Sequence, residues 1–276
     1  MPVTEPKNLP ATGLKKEHRK SSAGQQQLRL ELARLLLEPG PGPRQRLAAL
    51  AAEAGWPLPE TVTLAAIRAP DKPGAGVPAA VDGTALDGEV IADLAGPHPC
   101  LVVPGAVTRP RGLELASAFE DRRIAIGLTV PLTSAPDSLR WARRALALAE
   151  SGVIDAGPLI WCEDHLVTLW LLSDPRLADQ VVRQQLGILA DLTPRQRARV
   201  LDTLGPWLEQ RGTAAEIAAL LHVHPQTVRY RIRQIERAFG DRLASPDARF
   251  SLELSLRLLR LLRRHTAPRQ YRPADG

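Results

Sequence analysis

Gln226, Tyr230, Arg233 and Arg237 follow one another at intervals of four, three and four residues. That interval places side chains on one face of a helix. The chemistry on offer is recognition rather than bond breaking. A glutamine amide pairs bidentately with an adenine edge, and guanidinium groups neutralise phosphates and set register. Thr227 and Arg229 lie on the flanks of the same face, with Thr227 in reach of a thymine methyl or a phosphate. Val228, Ile232, Ile235 and Phe239 occupy the opposite stripe, which a core would hold.

The flanking residues define the elements that must position this face. Thr213-Ala-Ala-Glu216 has the form of a capping box and opens a helix over Ala214–Leu221, with Ile217, Leu220 and Leu221 apolar and Ala218 small enough for a close neighbour. His222-Val223-His224 is a tight turn whose valine suits a core. His224 is the expected cap of the next helix, Pro225 suits its first position, and Gly240 suits its end. The spacing predicts a helix-turn-helix over Thr213–Phe239, with Pro225–Phe239 as the helix that would enter a DNA groove.

Other chemistry is poorly provided for. Cys100 and Cys162 sit in apolar segments and are too few for a disulfide framework; buried thiols in a reducing compartment are expected. His98 with Cys100, and Cys162 with Glu163 and His165, lack the paired spacing of a zinc site. His222 and His224 fit capping and phosphate contact better than metal binding. No phosphate-binding loop, dinucleotide motif or nucleophile elbow is present. We therefore expect no enzyme activity, no cofactor and no metal.

Charge is segregated. The 276 residues carry a formal +6. From Leu192 onward, 16 Arg face 8 Asp and Glu, a balance of +8, while the remaining 20 basic and 22 acidic residues give −2. A basic segment of this kind is the footprint of a polyanion binder. With 44% hydrophobic and 24% charged residues the chain can build an ordinary core. No apolar run is long enough for a membrane span and no export signal is evident, so a cytoplasmic location is expected.

Along the chain, residues 1–24 are polar and basic and read as a disordered tail. Helices are expected at Leu28–Leu37 and Arg44–Ala54. Strands are expected at Thr61–Arg68, Val77–Val81, Pro99–Val103 and Arg123–Thr129. Further helices are expected near Leu86–Leu94, at Leu113–Phe119, and up to Glu150 from a cap at Ser134 or Asp137. Residues 25–160 thus form one α/β or α+β domain. After Leu166 the apolar spacing is helical throughout. The expected divisions are a helical linker at 161–191, a DNA-binding domain at 192–265 and a disordered tail at 266–276.

The run Leu220-Leu-His-Val-His-Pro-Gln-Thr-Val-Arg-Tyr-Arg-Ile-Arg-Gln-Ile-Glu236 closely resembles the C-terminal helix-turn-helix of the PucR/CdaR family of bacterial regulators. Leu201-Asp-Thr-Leu204 is similar to the family's leading helix and Ser245–Leu256 to its closing helix. By this resemblance His222, His224, Thr227, Val228, Arg229, Tyr230 and Arg231 form the motif core. Pro225 departs from the pattern, where many relatives carry a basic or polar residue. Upstream, Arg123-Ile-Ala-Ile-Gly-Leu-Thr and Ser138–Leu148 resemble the later half of the degenerate GGDEF-like domain that the family often carries. A working diguanylate cyclase needs a Gly-Gly-acidic turn and acidic ligands for magnesium. The chain has no Gly-Gly followed by acidic residues, and Asp82-Gly83 and Asp87-Gly88 are ordinary turn signals.

The combined expectation is an α+β protein with an N-terminal GGDEF-like α/β domain followed by an all-α helix-turn-helix domain. Its DNA contacts would come from His224, Gln226, Thr227, Arg229, Tyr230, Arg231, Arg233 and Arg237. Double-stranded DNA is the expected partner, bound by a homodimer or higher oligomer because two half-sites give useful specificity. An unidentified small-molecule effector would act through the α/β domain. The alternatives are a helical scaffold whose basic face binds an acidic protein, and a nucleotide-handling enzyme in the α/β part.

Overall fold

The computed structural model describes residues 12–38, 44–69, 86, 88–95, 97–119, 122–210 and 213–266. The chain divides into two compact units. The first reaches Glu150 and takes in Ile154–Leu166; the second takes in Ser151–Val153 and runs on from Val167. The first mixes strands and helices and the second is all-helical. None of the helices among the described residues is long and apolar enough to cross a membrane.

The first unit is organised around β1 (Thr61–Ile67), which is buried at every position but the first. Its β-branched and apolar composition, expected from Thr61–Arg68, is that of a strand covered on both faces. β3 (Cys100–Pro104) pairs with it antiparallel on one side, and β4 (Ile124–Ile126) and β5 (Val130–Pro131) do so on the other. β2 (Ile91–Asp93) extends the sheet beyond β3, and β6 (Leu159–Trp161) runs parallel to β4. A parallel pair needs a crossover, which helix α4 (Ala135–Glu150) supplies.

Packing of α4 on the sheet depends on one polar contact. The buried Ser138 hydroxyl accepts from the Leu64 amide at 3.0 Å and donates to the Leu128 carbonyl at 2.6 Å. Gly127 permits the approach, since a Cβ there would lie 2.5 Å from the Ser138 carbonyl and 2.7 Å from that of Leu64. A second core gathers Leu101, Val103, Leu115, Phe119, Ile124 and Ile126, beside α3 (Arg109–Ser117). Trp161 of β6 lies against Gly112 of α3, where a Cβ would stand 2.3 Å from the ring. The Arg109 guanidinium stacks 4.4 Å from the centre of that ring and grips Asp164 at 2.7 and 2.9 Å.

Two local expectations change. The segment near Leu86–Leu94 holds a strand where a helix was expected: Val90 and Ile91 are buried, and Ile91–Asp93 pairs with Cys100–Val102. Helix α1 (Thr12–Leu37) extends back through residues assigned to the tail, a stretch that carries the good helix formers Lys15, Lys16, Glu17, Arg19 and Lys20. The strand expected at Val77–Val81 lies outside the described residues, as do 1–11 and 267–276. α2 (Arg44–Glu53) completes the unit.

The second unit consists of α5 (Leu166–Leu171), α6 (Pro175–Leu186), α7 (Pro194–Gln210), α8 (Ala214–Leu220), α9 (Pro225–Phe239) and α10 (Pro246–Thr266). Asp174 caps α6 by accepting from the Arg176 and Leu177 amides at 2.9 and 3.0 Å. Residues 161–191, expected as a linker, contribute Ala178, Val182, Leu186 and Leu189 to the core that also holds Leu204, Ile235 and Leu252. The helical unit is therefore built from Val167 onward, with α6 as one of its walls. Leu252, Leu256 and Leu258 of the leucine-dense α10 are buried in the same core.

Candidate nucleic-acid interface

The helix-turn-helix is positioned by local chemistry at each joint. Thr213 and Glu216 form a reciprocal capping box: the Glu216 carboxylate accepts from the Thr213 amide at 2.7 Å, and the Thr213 hydroxyl accepts from the Glu216 amide at 3.4 Å. At the other end of α8 the His222 amide donates to Ala219 at 3.3 Å and the Val223 amide to Ala218 at 3.0 Å. This is a Schellman closure with a histidine, at φ 50°, in the place usually taken by glycine. Among the described residues His222 is the one non-glycine with positive φ. Val223 and Leu221 pack against a small core of Ile217, Ala218 and Val228, so the turn plugs into the module.

α9 then starts at a histidine cap. His224 Nδ1 accepts from the Gln226 amide at 3.2 Å. The ring proton therefore sits on Nε2, which remains a donor. Pro225 occupies the first helical position, and Gly240, at φ 51°, ends the helix. Val228, Ile235 and Phe239 are 0%, 0% and 3% exposed and fix the rotation of the helix on its core.

That rotation sorts the expected contact residues. Taking Gln226 as zero at about 100° per residue, Arg229, Tyr230, Arg233 and Arg237 fall within about 60° of it. All five are exposed. They also order one another: Arg229 reaches the Gln226 side-chain carbonyl at 3.4 Å, Arg233 the Arg229 carbonyl at 3.4 Å, and Gln234 donates to the Tyr230 hydroxyl at 3.2 Å. Thr227 is half-buried on the flank and His224 is exposed at the helix entrance.

Arg231 is parted from this set. It falls at about 140° on the same wheel, is half-buried, and donates to the Thr203 hydroxyl of α7 at 3.2 Å. Thr203 is itself fully buried and donates to the Arg199 carbonyl at 3.0 Å. The motif resemblance groups Arg231 with its neighbours in sequence, but the helix turns it toward the body of the unit.

Sequence reasoning also missed a basic hollow beside it. Arg199 of α7, Arg231 of α9, and Arg260 and Arg263 of α10 line one cavity with Asp202. These residues are spread over 65 positions, so their sole sequence signal is the excess of arginine after Leu192.

In the first unit, burial pushes the Cys100 thiol up to about 11 and the Cys162 thiol up to about 12. Buried in this way, both thiols stay protonated at neutral pH and are poor nucleophiles. Among the described residues no group of three or more His, Cys, Asp or Glu is arranged to hold a metal ion.

Residues 200–258 match the model of the PucR C-terminal helix-turn-helix domain. No curated protein matches the chain. Among solved structures, the chain is similar to a crystal structure of a regulator of polyketide synthase expression from Bifidobacterium adolescentis. The identity is 20%, the TM-score 0.40, and the coverage 87% of this chain and 94% of that one. The match gives residues 200–258 as a PucR C-terminal helix-turn-helix domain, which supports a transcriptional regulator.

Proposed function

We propose that the protein binds specific sites in duplex DNA by laying the exposed face of α9 in the major groove. The observation that carries this is the five-residue stripe of Gln226, Arg229, Tyr230, Arg233 and Arg237 on a helix whose opposite face is locked into a core. Gln226, in the first turn, reads an adenine edge, and Thr227 touches a thymine methyl or phosphate. His224, Arg229, Arg233 and Arg237 hold phosphates, and Tyr230 supports them. Arg231 acts indirectly, by tying α9 to α7.

The α/β unit is read as a degenerate, non-catalytic GGDEF-like domain that senses an effector or supports dimerisation. A homodimer would present two α9 helices to paired half-sites, and an effector would act by favouring one spacing of those helices over another. The protein would work in the cytoplasm.

The test is the affinity of the purified protein for genomic fragments from its own upstream region against random duplex, at two salt concentrations. Binding that weakens steeply with salt yet prefers one fragment is expected. Binding without preference, or none, would overturn the reading in favour of a scaffold whose basic face meets an acidic protein.

A further inference from the structure

The hollow bounded by α7, α9 and α10 has a volume of about 450 Å³, within the range of small-molecule sites. Arg199, Arg231, Arg260 and Arg263 line it, and Asp202 is the carboxylate among the described residues of its wall. One of the four arginines is set in place by the fold. Arg231 is anchored on the buried Thr203 hydroxyl. Arg260 lies along α7, its guanidinium nitrogen 2.6 Å from where a Cβ on Gly205 would stand. Pro206, also in the wall, has no N–H to offer the Asp202 carbonyl. Forked guanidinium groups converging in this way match the oxygens of phosphate, and a pre-set fork loses less freedom on binding.

We propose that this hollow is a binding site for a small anion bearing two or more phosphates. Free phosphate compounds and the DNA backbone share this chemistry, and the geometry favours the free compound. Arg231 points about 140° away from the centre of the exposed α9 face, so a duplex seated on that face leaves the hollow open. The hollow also touches the turn itself through Leu221 and Val223. A bound anion would therefore brace the turn against α7 and α10. The site does not depend on the DNA-binding reading, because its first test contains no DNA.

The experiment titrates inorganic tripolyphosphate into the full-length protein at constant ionic strength, by calorimetry and thermal unfolding. Saturable binding at one site per chain, with a raised Tm, is expected. The double variant Arg260→Gln/Arg263→Gln should weaken it by at least about tenfold, one decade per 1.4 kcal/mol lost. The control Arg257→Gln/Arg264→Gln removes two exposed arginines of the same helix outside the hollow and should leave it unchanged. If the first variant does not fold, Arg199→Gln on α7 carries the same expectation. Unsaturable binding, or equal loss in both double variants, overturns the proposal. So does a fall in duplex affinity and salt slope in Arg260→Gln/Arg263→Gln, since those arginines would then be holding DNA.

Discussion

Arg229 and Arg231 are two residues apart, identical in charge, and expected to respond in opposite ways to removal. Arg229→Ala deletes an exposed guanidinium from the α9 stripe. One phosphate contact contributes about 0.9 to the slope of log affinity against log salt. Its loss should therefore reduce that slope by about one, with the unfolding midpoint nearly unchanged. The same slope makes the contact worth about 3.5-fold in affinity across a fourfold change of salt. Arg231→Ala deletes a half-buried hydrogen bond to Thr203 together with the packing of an aliphatic stem along α7. A bond from a charged donor contributes about 1.5–3 kcal/mol when fully buried. With solvent at one side, about 1–2 kcal/mol is the scale here. For a domain of this size that lowers Tm by roughly 5–10 °C. Paired measurements of duplex affinity over a salt series and of thermal unfolding separate the two variants. A folded Arg231→Ala with parental Tm and a salt slope reduced by one would refute the orientation assigned to α9.

Three further outcomes are expected. His222→Gly should stabilise the helical unit by about 0.5–1 kcal/mol, because relief of left-handed strain exceeds the added freedom of the unfolded chain; a lower Tm would show that the exposed imidazole makes a contact of its own. Gly127→Ala should destabilise the first unit by more than about 3 kcal/mol, since its Cβ meets two carbonyl oxygens and displaces Ser138; urea unfolding followed by tryptophan fluorescence measures this, and a parental midpoint would mean that α4 sits further from the sheet. Cys100 and Cys162, 2% and 0% exposed, with thiols pushed up to about 11 and 12, should resist a disulfide reagent at pH 8 until denaturant is added. Rapid native labelling would contradict their burial.

The helix-turn-helix was legible because its joints are made by neighbours in sequence. Thr213 reaches Glu216, His224 reaches Gln226, and Pro225 and Gly240 act on their own backbone. β1 was legible as a β-branched and apolar segment and β3 as a short apolar run. β5 and β6 were not, because strands of two and three residues carry no period of their own and exist through partners far along the chain. The same holds for β2, whose Val90-Ile91 pair becomes strand only against β3. Within the site, the helical wheel already separates Arg231 from Gln226, but that α7 waits on that side with Thr203 is tertiary information. The Arg109–Trp161 stack and the four-arginine hollow are likewise assembled from separate elements.

The central place of β1 has a consequence for biosynthesis. Among the described residues none of its hydrogen-bonded neighbours is adjacent in sequence: the nearest, β3, begins more than thirty residues after β1 ends, and the described sheet is complete only with Trp161. A ribosome adding about 5–20 residues per second exposes the largely apolar segment Val62–Ile67 for seconds before any of the described partner strands can cover it. The α8–α9 pair, by contrast, closes within its own thirty residues. The emerging chain is thus most vulnerable to aggregation in its first half, and a chaperone that shields extended apolar segments would serve it there rather than at the helix-turn-helix end.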